Sequence, residues 1–315
     1  MKQTIKINFA DFWTHLNKTK NYFFNLLSEK YTVEISYNPD FLIYSCYGTE
    51  HLKYNCLKVF YNGENERINW NACDFAFGMD YIPNNPRYYR LPNWILYDKP
   101  GNLILPGPDA ETILASKTGF CNMLVSNKHA KKRIDFFHKL SKYKKVDSGG
   151  RVLNNIGKPV SDKLSFIKNY KFTLAFENSS YPGYTTEKLF EPMLVNSIPI
   201  YWGNPKVGLD FNTKSFLNSF DYKNEDAFIN KIIELDNNDN LYLKMLQEPW
   251  FIDNKLPEFI KEKNVLNQFE IIVNSVGKIN PVCTTYKKAF YHFSRLKKRI
   301  ISKINTYIPI KSVFR

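Results

Sequence analysis

The stretch FENSSYPGYTTEKLFEPMLVNSIPIYWGNP, residues 176 to 205, decides how the fold of this chain is interpreted. KFTLAFE (171–177) is a short apolar run of strand length, and SIPIYWG (197–203) is a second one. Between them, the segment from about Thr186 to Val195 is predicted to form a helix. A strand, a helix and a second strand in this order predict a βαβ unit, whose two parallel strands are joined by a right-handed crossover.

The loop of this unit, ENSSYPGYTTEK, is dense in polar groups at the point where the helix begins. Unpaired backbone N–H groups and the positive end of the helix dipole make such a loop suitable for a phosphate or diphosphate. Lys188 lies in the first helical turn, where a cation is unfavourable, and a bound anion would offset that cost. A capped surface helix whose polar first turn faces water explains the loop equally well, so its chemistry alone leaves both interpretations open.

Strands and helices alternate along the rest of the chain, which predicts an α/β fold. Five earlier strands are predicted, at 4–9, 32–37, 40–47, 57–63 and 73–79, and FCNMLVS near residue 120 resumes the alternation. Helices are predicted at 15–27, 128–143, 224–235, 239–247 and 256–276. We expect two α/β domains, residues 1–150 and 151–280, with the boundary in the loop 144–163 and a ligand-binding cleft between them.

Composition excludes several classes of protein. Hydrophobic residues make up 43% and aromatic residues 16% of the 315, which excludes a disordered chain. No apolar run reaches the length of roughly 18 residues that spans a bilayer. The start, MKQTIKINFADFW, lacks the apolar core of a signal peptide, and the five cysteines form no CxxC pair. A reduced, cytoplasmic chain is therefore expected.

The positive charge is concentrated at the C-terminal end. Residues 286–315 carry nine lysines and arginines and no acid, so residues 1–285 hold only +5 of the total net charge of +14. Apolar residues in this tail form one helical stripe: Phe290, Phe293, Leu296, Ile300, Ile304 and Tyr307. We predict a basic amphipathic helix within 281–315 that binds an anionic membrane surface. A terminal helix packed back on the first domain is the alternative, and binding to nucleic acid is not expected.

Several segments together resemble the α1,3-fucosyltransferase family. The motif at 176–205 is the strongest, and it is joined by FYNGEN (60–65), CDFAFGMD (73–80), RYYRLP (87–92) and SGGR (148–151). The resemblance covers roughly residues 1–275 and is closest to the bacterial branch that modifies lipopolysaccharide. It implies two facing Rossmann-like domains of the type called GT-B, GDP-fucose as the donor, and inversion at the sugar carbon.

The resemblance also implies roles for individual residues. Glu64 matches the catalytic base of the family, and Arg151 and Lys188 match its diphosphate-binding cations. Three more positions match donor-contacting residues of the family: Asn178, Tyr184 and Glu187. These types suit an inverting transfer, which needs a carboxylate to accept a proton and cations to stabilise the leaving diphosphate. Without the resemblance, Glu64 would be interpreted as part of an exposed turn and Arg151 as a solvated residue after a glycine hinge.

A metal ion is not expected to be required. No two aspartates stand two residues apart, so the DxD motif of metal-dependent glycosyltransferases is missing. The five histidines show no ligand spacing with cysteines or carboxylates. Arg151, Lys188 and the helix N-terminus together could replace a cation, although stimulation by a divalent cation stays open.

The resulting hypothesis is an inverting α1,3-fucosyltransferase, with an acceptor-binding first domain that carries the base and a GDP-fucose-binding second domain. It would move L-fucose from GDP-β-L-fucose to N-acetylglucosamine in a lactosamine-type glycan, as in Lewis-type antigens on lipopolysaccharide. We expect it at the cytoplasmic face of the inner membrane. The alternatives are a related transferase that makes a 1,4 linkage or uses another nucleotide sugar, and a non-catalytic glycan- or membrane-binding module.

Overall fold

The computed structural model describes residues 1–96, 100–104, 107 and 109–282. Two parallel β-sheets with helices packed on them form this part of the chain, which confirms the predicted α/β class. No helix in the described ranges is both long and apolar enough to cross a membrane. The predicted amphipathic helix of the tail lies outside the described residues.

The first sheet has six strands in the order β2-β1-β3-β4-β5-β6, and every neighbouring pair is parallel. Its strands are β1 Thr4–Ala10, β2 Thr32–Ile35, β3 Phe41–Tyr44, β4 Leu57–Tyr61, β5 Phe75–Gly78 and β6 Tyr88–Arg90. All residues of β3, β4 and β5 are buried. A parallel sheet covered on both faces requires such continuous apolar strands, which explains why their sequences do not alternate.

The second sheet has five parallel strands in the order β11-β10-β9-β7-β8. They are β7 Gly119–Met123, β8 Val146–Ser148, β9 Tyr170–Phe176, β10 Ile198–Trp202 and β11 Leu217–Asn218. Strand β9 pairs directly with β10, with Leu174 opposite Ile200. The βαβ unit predicted from residues 171–203 is therefore confirmed.

Eight α-helices connect or cover the strands within the described residues. They are α1 Tyr22–Lys30, α2 Ala110–Ala115, α3 Lys131–Leu140, α4 Lys163–Ile167, α5 Glu187–Leu194, α6 Glu225–Asp236, α7 Asp239–Leu246 and α8 Glu262–Ser275. The prediction of a helix from residue 15 is wrong at its start, because Asn21 caps α1 by accepting a hydrogen bond from the amide of Phe24. Helix α8 also begins later than predicted, after Pro257, a short 3-10 turn at Glu258–Ile260 and the extended backbone of Lys261.

The predicted domain boundary between residues 150 and 151 falls inside the second sheet of the structure, so it does not separate the two sheets. Strands β7 and β8 precede it in the chain, yet both belong to the second sheet. Strand β8 is only three residues long and lies within the segment interpreted as a linker. Helix α8 returns to the first sheet, where Phe269 stacks on Phe77 of β5 at 4.8 Å. The change of sheet therefore lies between Arg90 and Gly119.

One apolar cluster joins the two halves. Trp94, which follows β6, is fully buried. Its ring packs against Phe190 of α5 at 5.3 Å and against Phe211 at 5.0 Å. Burying a large aromatic side chain contributes several kcal/mol, about 3 to 5 by the cost of truncating it to alanine. The two sheets are thus fixed against each other beside the segment that carries the opening motif.

Candidate active site

The candidate site residues follow the carboxyl ends of strands in both sheets. Glu64 follows β4, Arg151 follows β8, and the loop 177–186 follows β9. Because all strands within each sheet are parallel, their carboxyl ends meet at one edge, where ligands of open α/β sheets bind. The first sheet therefore presents Glu64 at one edge, and the second sheet presents Arg151 and the loop at another.

These two edges face each other across a cleft. Asn65, next to Glu64, donates a hydrogen bond from Nδ2 to Oγ of Ser179 at 2.7 Å. The guanidinium of Arg67 lies 3.7 Å from the centre of the Tyr181 ring. Both contacts join the loop after β4 to the loop after β9, so they bring the predicted base close to the predicted donor loop.

Glu64 is partly exposed and is held by two neighbours. Its Oε1 accepts a hydrogen bond from the Tyr47 hydroxyl at 3.0 Å, and its amide donates to Oδ1 of Asn62 at 2.9 Å. The loop that carries Tyr47 is anchored by Asp11, whose carboxylate accepts from the amide of Glu50 at 2.8 Å. Tyr47 was not predicted, since a tyrosine 17 residues from Glu64 carries no sequence signal of this contact.

Glu177 organises the start of α5. Its carboxylate is fully buried and accepts hydrogen bonds from the amide and hydroxyl of Thr186, both at 2.7 Å. Thr186 is the N-cap of α5, and the ammonium of Lys188 lies 3.0 Å from its hydroxyl oxygen. The same ammonium lies 3.4 Å from Oε2 of Glu177 and 3.1 Å from Oε1 of Glu187. These carboxylates already offset the unfavourable position of Lys188 in the first turn.

The charges of this cluster shift one another's pKa values. Burial raises the pKa of Glu177 above its ordinary value. Burial alone would lower the pKa of Lys188, but the negative charges of Glu177 and Glu187 outweigh it and raise that pKa. Burial likewise opposes ionisation of Glu187, yet the Lys188 ammonium holds the pKa of Glu187 below its ordinary value. Lys188 is therefore a stable cation with 21% of its side chain exposed, which suits an anionic ligand.

Asn178 is positioned by an arginine that the sequence did not single out. Arg133 of α3 is only 1% exposed and donates from Nε to the carbonyl of Phe176 at 2.8 Å. Its Nη2 donates to Oδ1 of Asn178 at 3.1 Å. The guanidinium thus fixes both the end of β9 and the side chain that follows it. The two residues are 45 apart in sequence, so only the fold reveals their contact.

Tyr184 is buried, with 2% of its surface exposed. Burial raises the pKa of its hydroxyl, and the negative charges of Glu177 and Glu64 raise it further. Both sides of the cleft therefore act on this one hydroxyl, which stays protonated and able to donate a hydrogen bond.

Arg151 is exposed and, within the described residues, makes no hydrogen bond or ion pair. The glycines before it are not a loose hinge. A Cβ on Gly150 would lie 2.1 Å from the carbonyl oxygen of Val125, so only glycine fits there. The backbone that presents Arg151 is thus packed against the end of β7, although the structure does not bring Arg151 into contact with Lys188.

Comparison with known families decides the assignment. Residues 7–97 match the family described as "Alpha-(1,3)-fucosyltransferase FucT N-terminal domain", and residues 114–299 match "Glycosyltransferase family 10 (fucosyltransferase) C-term". The second match alone covers more than half of the chain. The chain belongs to glycosyltransferase family 10. The family resemblance predicted from the motifs is confirmed.

Individual members of glycosyltransferase family 10 are also similar. The chain is 35% identical to the α-(1,3)-fucosyltransferase FucT of Helicobacter pylori, over 78% of this chain and 60% of that relative. It is 36% identical to the putative fucosyltransferase R654 of Acanthamoeba polyphaga mimivirus, over 47% of this chain and 26% of that relative. The chain thus spans less than two thirds of either curated relative.

A solved structure supports the fold of this family member. The structure of an α1,3-fucosyltransferase with GDP-fucose superposes with a TM-score of 0.75 at 30% identity. The match covers 87% of this chain and 91% of the solved chain. The predicted pair of facing parallel sheets is therefore the fold of solved fucosyltransferases.

We predict that Gly183→Ala disrupts the loop 177–186, which follows β9. Gly183 has a φ of +93°, and a Cβ there would lie 2.2 Å from the backbone oxygen of Met79 in the first half of the chain. Gly157→Ala is the matched control, because Gly157 has a φ of +94° with no atom within 4 Å of its Cβ position. The control should lose only the strain of positive φ, about 1 to 3 kcal/mol in urea unfolding.

Gly183→Ala should lose more stability than the control and should also weaken binding of GDP in calorimetric titrations, because the loop must move away from Met79. Equal stability and equal GDP affinity in the two variants would contradict the tight contact between the loop and the first half of the chain.

Proposed function

We propose that this chain is an inverting α1,3-fucosyltransferase, which moves L-fucose from GDP-β-L-fucose to N-acetylglucosamine of a lactosamine-type glycan. The observation that carries the proposal is the direct contact between the loop that bears Glu64 and the loop that leads into the helix of Lys188. The 2.7 Å bond from Asn65 to Ser179 joins their two loops. The similarity to fucosyltransferases over both halves of the chain supports it.

The reaction would be a single in-line displacement. The acceptor hydroxyl oxygen forms a bond to the anomeric carbon of fucose while the bond from that carbon to the diphosphate oxygen breaks. The hydroxyl proton passes to Glu64, and the bond electrons leave with GDP. Tyr47 holds Oε1 of Glu64 at 3.0 Å and thereby orients the carboxylate for general-base work. Attack from the face opposite to GDP inverts the configuration from β to α.

The departing GDP gains negative charge that the second half of the chain would stabilise. Lys188 and Arg151 would bind the diphosphate, while Asn178, Tyr184 and Glu187 would contact the donor through hydrogen bonds. Thr186 and Glu177 fix the first turn of α5, so the ammonium group of Lys188 is in place before the donor binds. Such preorganised charge is the main source of rate enhancement where an anion develops.

The natural acceptor would be a lipid-linked glycan, as on lipopolysaccharide. The basic tail 286–315 would hold the protein on the anionic cytoplasmic face of the inner membrane, close to that acceptor.

Glu64→Gln should lower kcat by about a hundredfold or more, the usual scale for loss of a general base, and leave GDP affinity nearly unchanged. Glu66→Gln is the matched control, since Glu66 is an exposed carboxylate two residues further along the same turn. Steady-state fucosyl transfer and GDP titration are the measurements. Near-normal turnover of Glu64→Gln would remove Glu64 from the mechanism.

Lys188→Met and Arg151→Met should each weaken GDP binding by about tenfold or more, because charged hydrogen bonds are worth roughly 1.5 to 3 kcal/mol. Methionine retains the apolar stem and removes only the charged head. Lys158→Met is the control, as Lys158 is an exposed cation in the same loop as Arg151. GDP titration curves of both variants that overlay the parent's would show that the diphosphate binds elsewhere.

Removing residues 286–315 should abolish salt-sensitive binding to anionic vesicles and leave transfer to a small soluble acceptor largely unchanged, because no proposed site residue lies in this segment. A full-length chain with its nine tail cations replaced by glutamine separates the effect of charge from that of length. Vesicle sedimentation and thermal unfolding are the measurements. A truncated chain that unfolds earlier, from a parent that ignores anionic vesicles, would support a tail packed on the first domain.

A further inference from the structure

A second cleft lies next to the turn that carries Glu64. It has a volume of about 360 Å³ and is walled by the loops after β4 and β5 and by residues on the far side of the main cleft. The residues that matter for its chemistry are Arg67, Trp70, Asp80, Tyr81, Tyr181 and Lys206. The Arg67 guanidinium donates to Oδ1 of Asn65, the neighbour of Glu64, so this cleft opens beside the proposed base.

Each of the three aromatic rings in this cleft is covered on one face by an arginine. Arg87 lies 4.8 Å from the centre of the Trp70 ring, and Arg90 lies 4.2 Å from that of Tyr81. Arg67 lies 3.7 Å from that of Tyr181. Three cation–π contacts therefore surround this one small cleft.

The three arginines are themselves anchored. Arg87 donates from Nε to the carbonyl of Asp74 at 2.6 Å and from Nη2 to that of Cys73 at 2.8 Å. Arg90 donates from Nε to the carbonyl of Met79 at 3.1 Å, and Arg67 pairs with Asp80. The arginine that covers each ring is thereby held in place before any ligand arrives. A site built in this way loses little side-chain entropy on binding.

The chemistry of the cleft fits a neutral sugar ring. A pyranose has an apolar C–H face, which packs on an aromatic ring, and a rim of hydroxyl groups that both donate and accept hydrogen bonds. Trp70, Tyr81 and Tyr181 supply apolar surface, the Asp80 carboxylate accepts, and the Lys206 ammonium donates. Few polar groups among aromatic ones are typical of small-molecule sites.

We propose that this cleft binds the pyranose ring adjacent to the fucosylated sugar in the acceptor glycan. The proposal rests on the proposed function. It names the part of the acceptor that the protein recognises beyond the reacting ring. The rings come from both halves of the chain, so the subsite is complete only when the two sheets face each other as they do here.

The kinetic test compares a monosaccharide acceptor, N-acetylglucosamine, with the disaccharide N-acetyllactosamine. Trp70→Ala should lower kcat/KM for the disaccharide by about tenfold and leave that for the monosaccharide and the KM for GDP-fucose within about twofold. Tyr181→Leu, on the opposite wall, should show the same selectivity, and because residue Tyr181 is already 38% exposed, folding should be unaffected. Tyr37→Ala, at an 88% exposed tyrosine after β2, is the control.

A binding measurement keeps this inference separate from the proposed function. Saturation-transfer NMR with N-acetyllactosamine and GDP should show transfer to the galactose ring in the parent, and Trp70→Ala should lose it. A parent that shows this contact but transfers no fucose would contradict the proposed function alone. Equal kinetic loss for both acceptors, no loss in either variant, or no contact with galactose in the parent would each overturn the assignment of the cleft.

Discussion

The ion pair between Arg90 and Asp210 is the constraint on which the arrangement of the two sheets depends. Arg90 ends β6 of the first sheet, and Asp210 follows β10 of the second. The pair is bidentate, with N–O distances of 2.9 and 2.6 Å, and the Asp210 side chain is only 1% exposed. Removing one partner of such a buried pair leaves an uncompensated charge, which costs roughly 3 to 5 kcal/mol. The edges of the two sheets at which the strands have their carboxyl ends are therefore held facing each other.

The ion pair between Arg90 and Asp210 is connected through hydrogen bonds to the loop 177–186. Tyr81 donates to Asp210 at 3.0 Å and accepts from Nδ2 of Asn204 at 3.1 Å. Asn204 in turn accepts from the amide of Gly183 at 2.8 Å and donates to the Thr185 hydroxyl at 3.1 Å. The first half of the chain thus fixes the conformation of the loop that precedes the cap of α5. A connected, buried polar network of this kind favours one arrangement over its alternatives.

Local features were predictable from the sequence, and long-range ones were not. The βαβ unit was predicted because its strands are continuous apolar runs, and Glu64 and Lys188 were proposed as site residues because they lie within short family motifs. Glu64 contacts Tyr47, 17 residues away in sequence, and Asn178 contacts Arg133, 45 residues away. No local sequence pattern indicates either contact. Strand β8 was missed because three residues show no periodicity, which displaced the predicted domain boundary. Sequence patterns report local structure, whereas the cleft is made by pairings that only the fold creates.

The central claim is that the two facing edges form one catalytic site for fucosyl transfer. The most direct measurement is release of GDP from GDP-fucose by the full chain, with and without N-acetyllactosamine, coupled to NMR analysis of the product. We expect that GDP release depends on the acceptor and that the product carries an α-linked fucose on O3 of N-acetylglucosamine. Tight binding of GDP-fucose with no acceptor-dependent release of GDP would contradict it and would indicate a binding module that retains the fold.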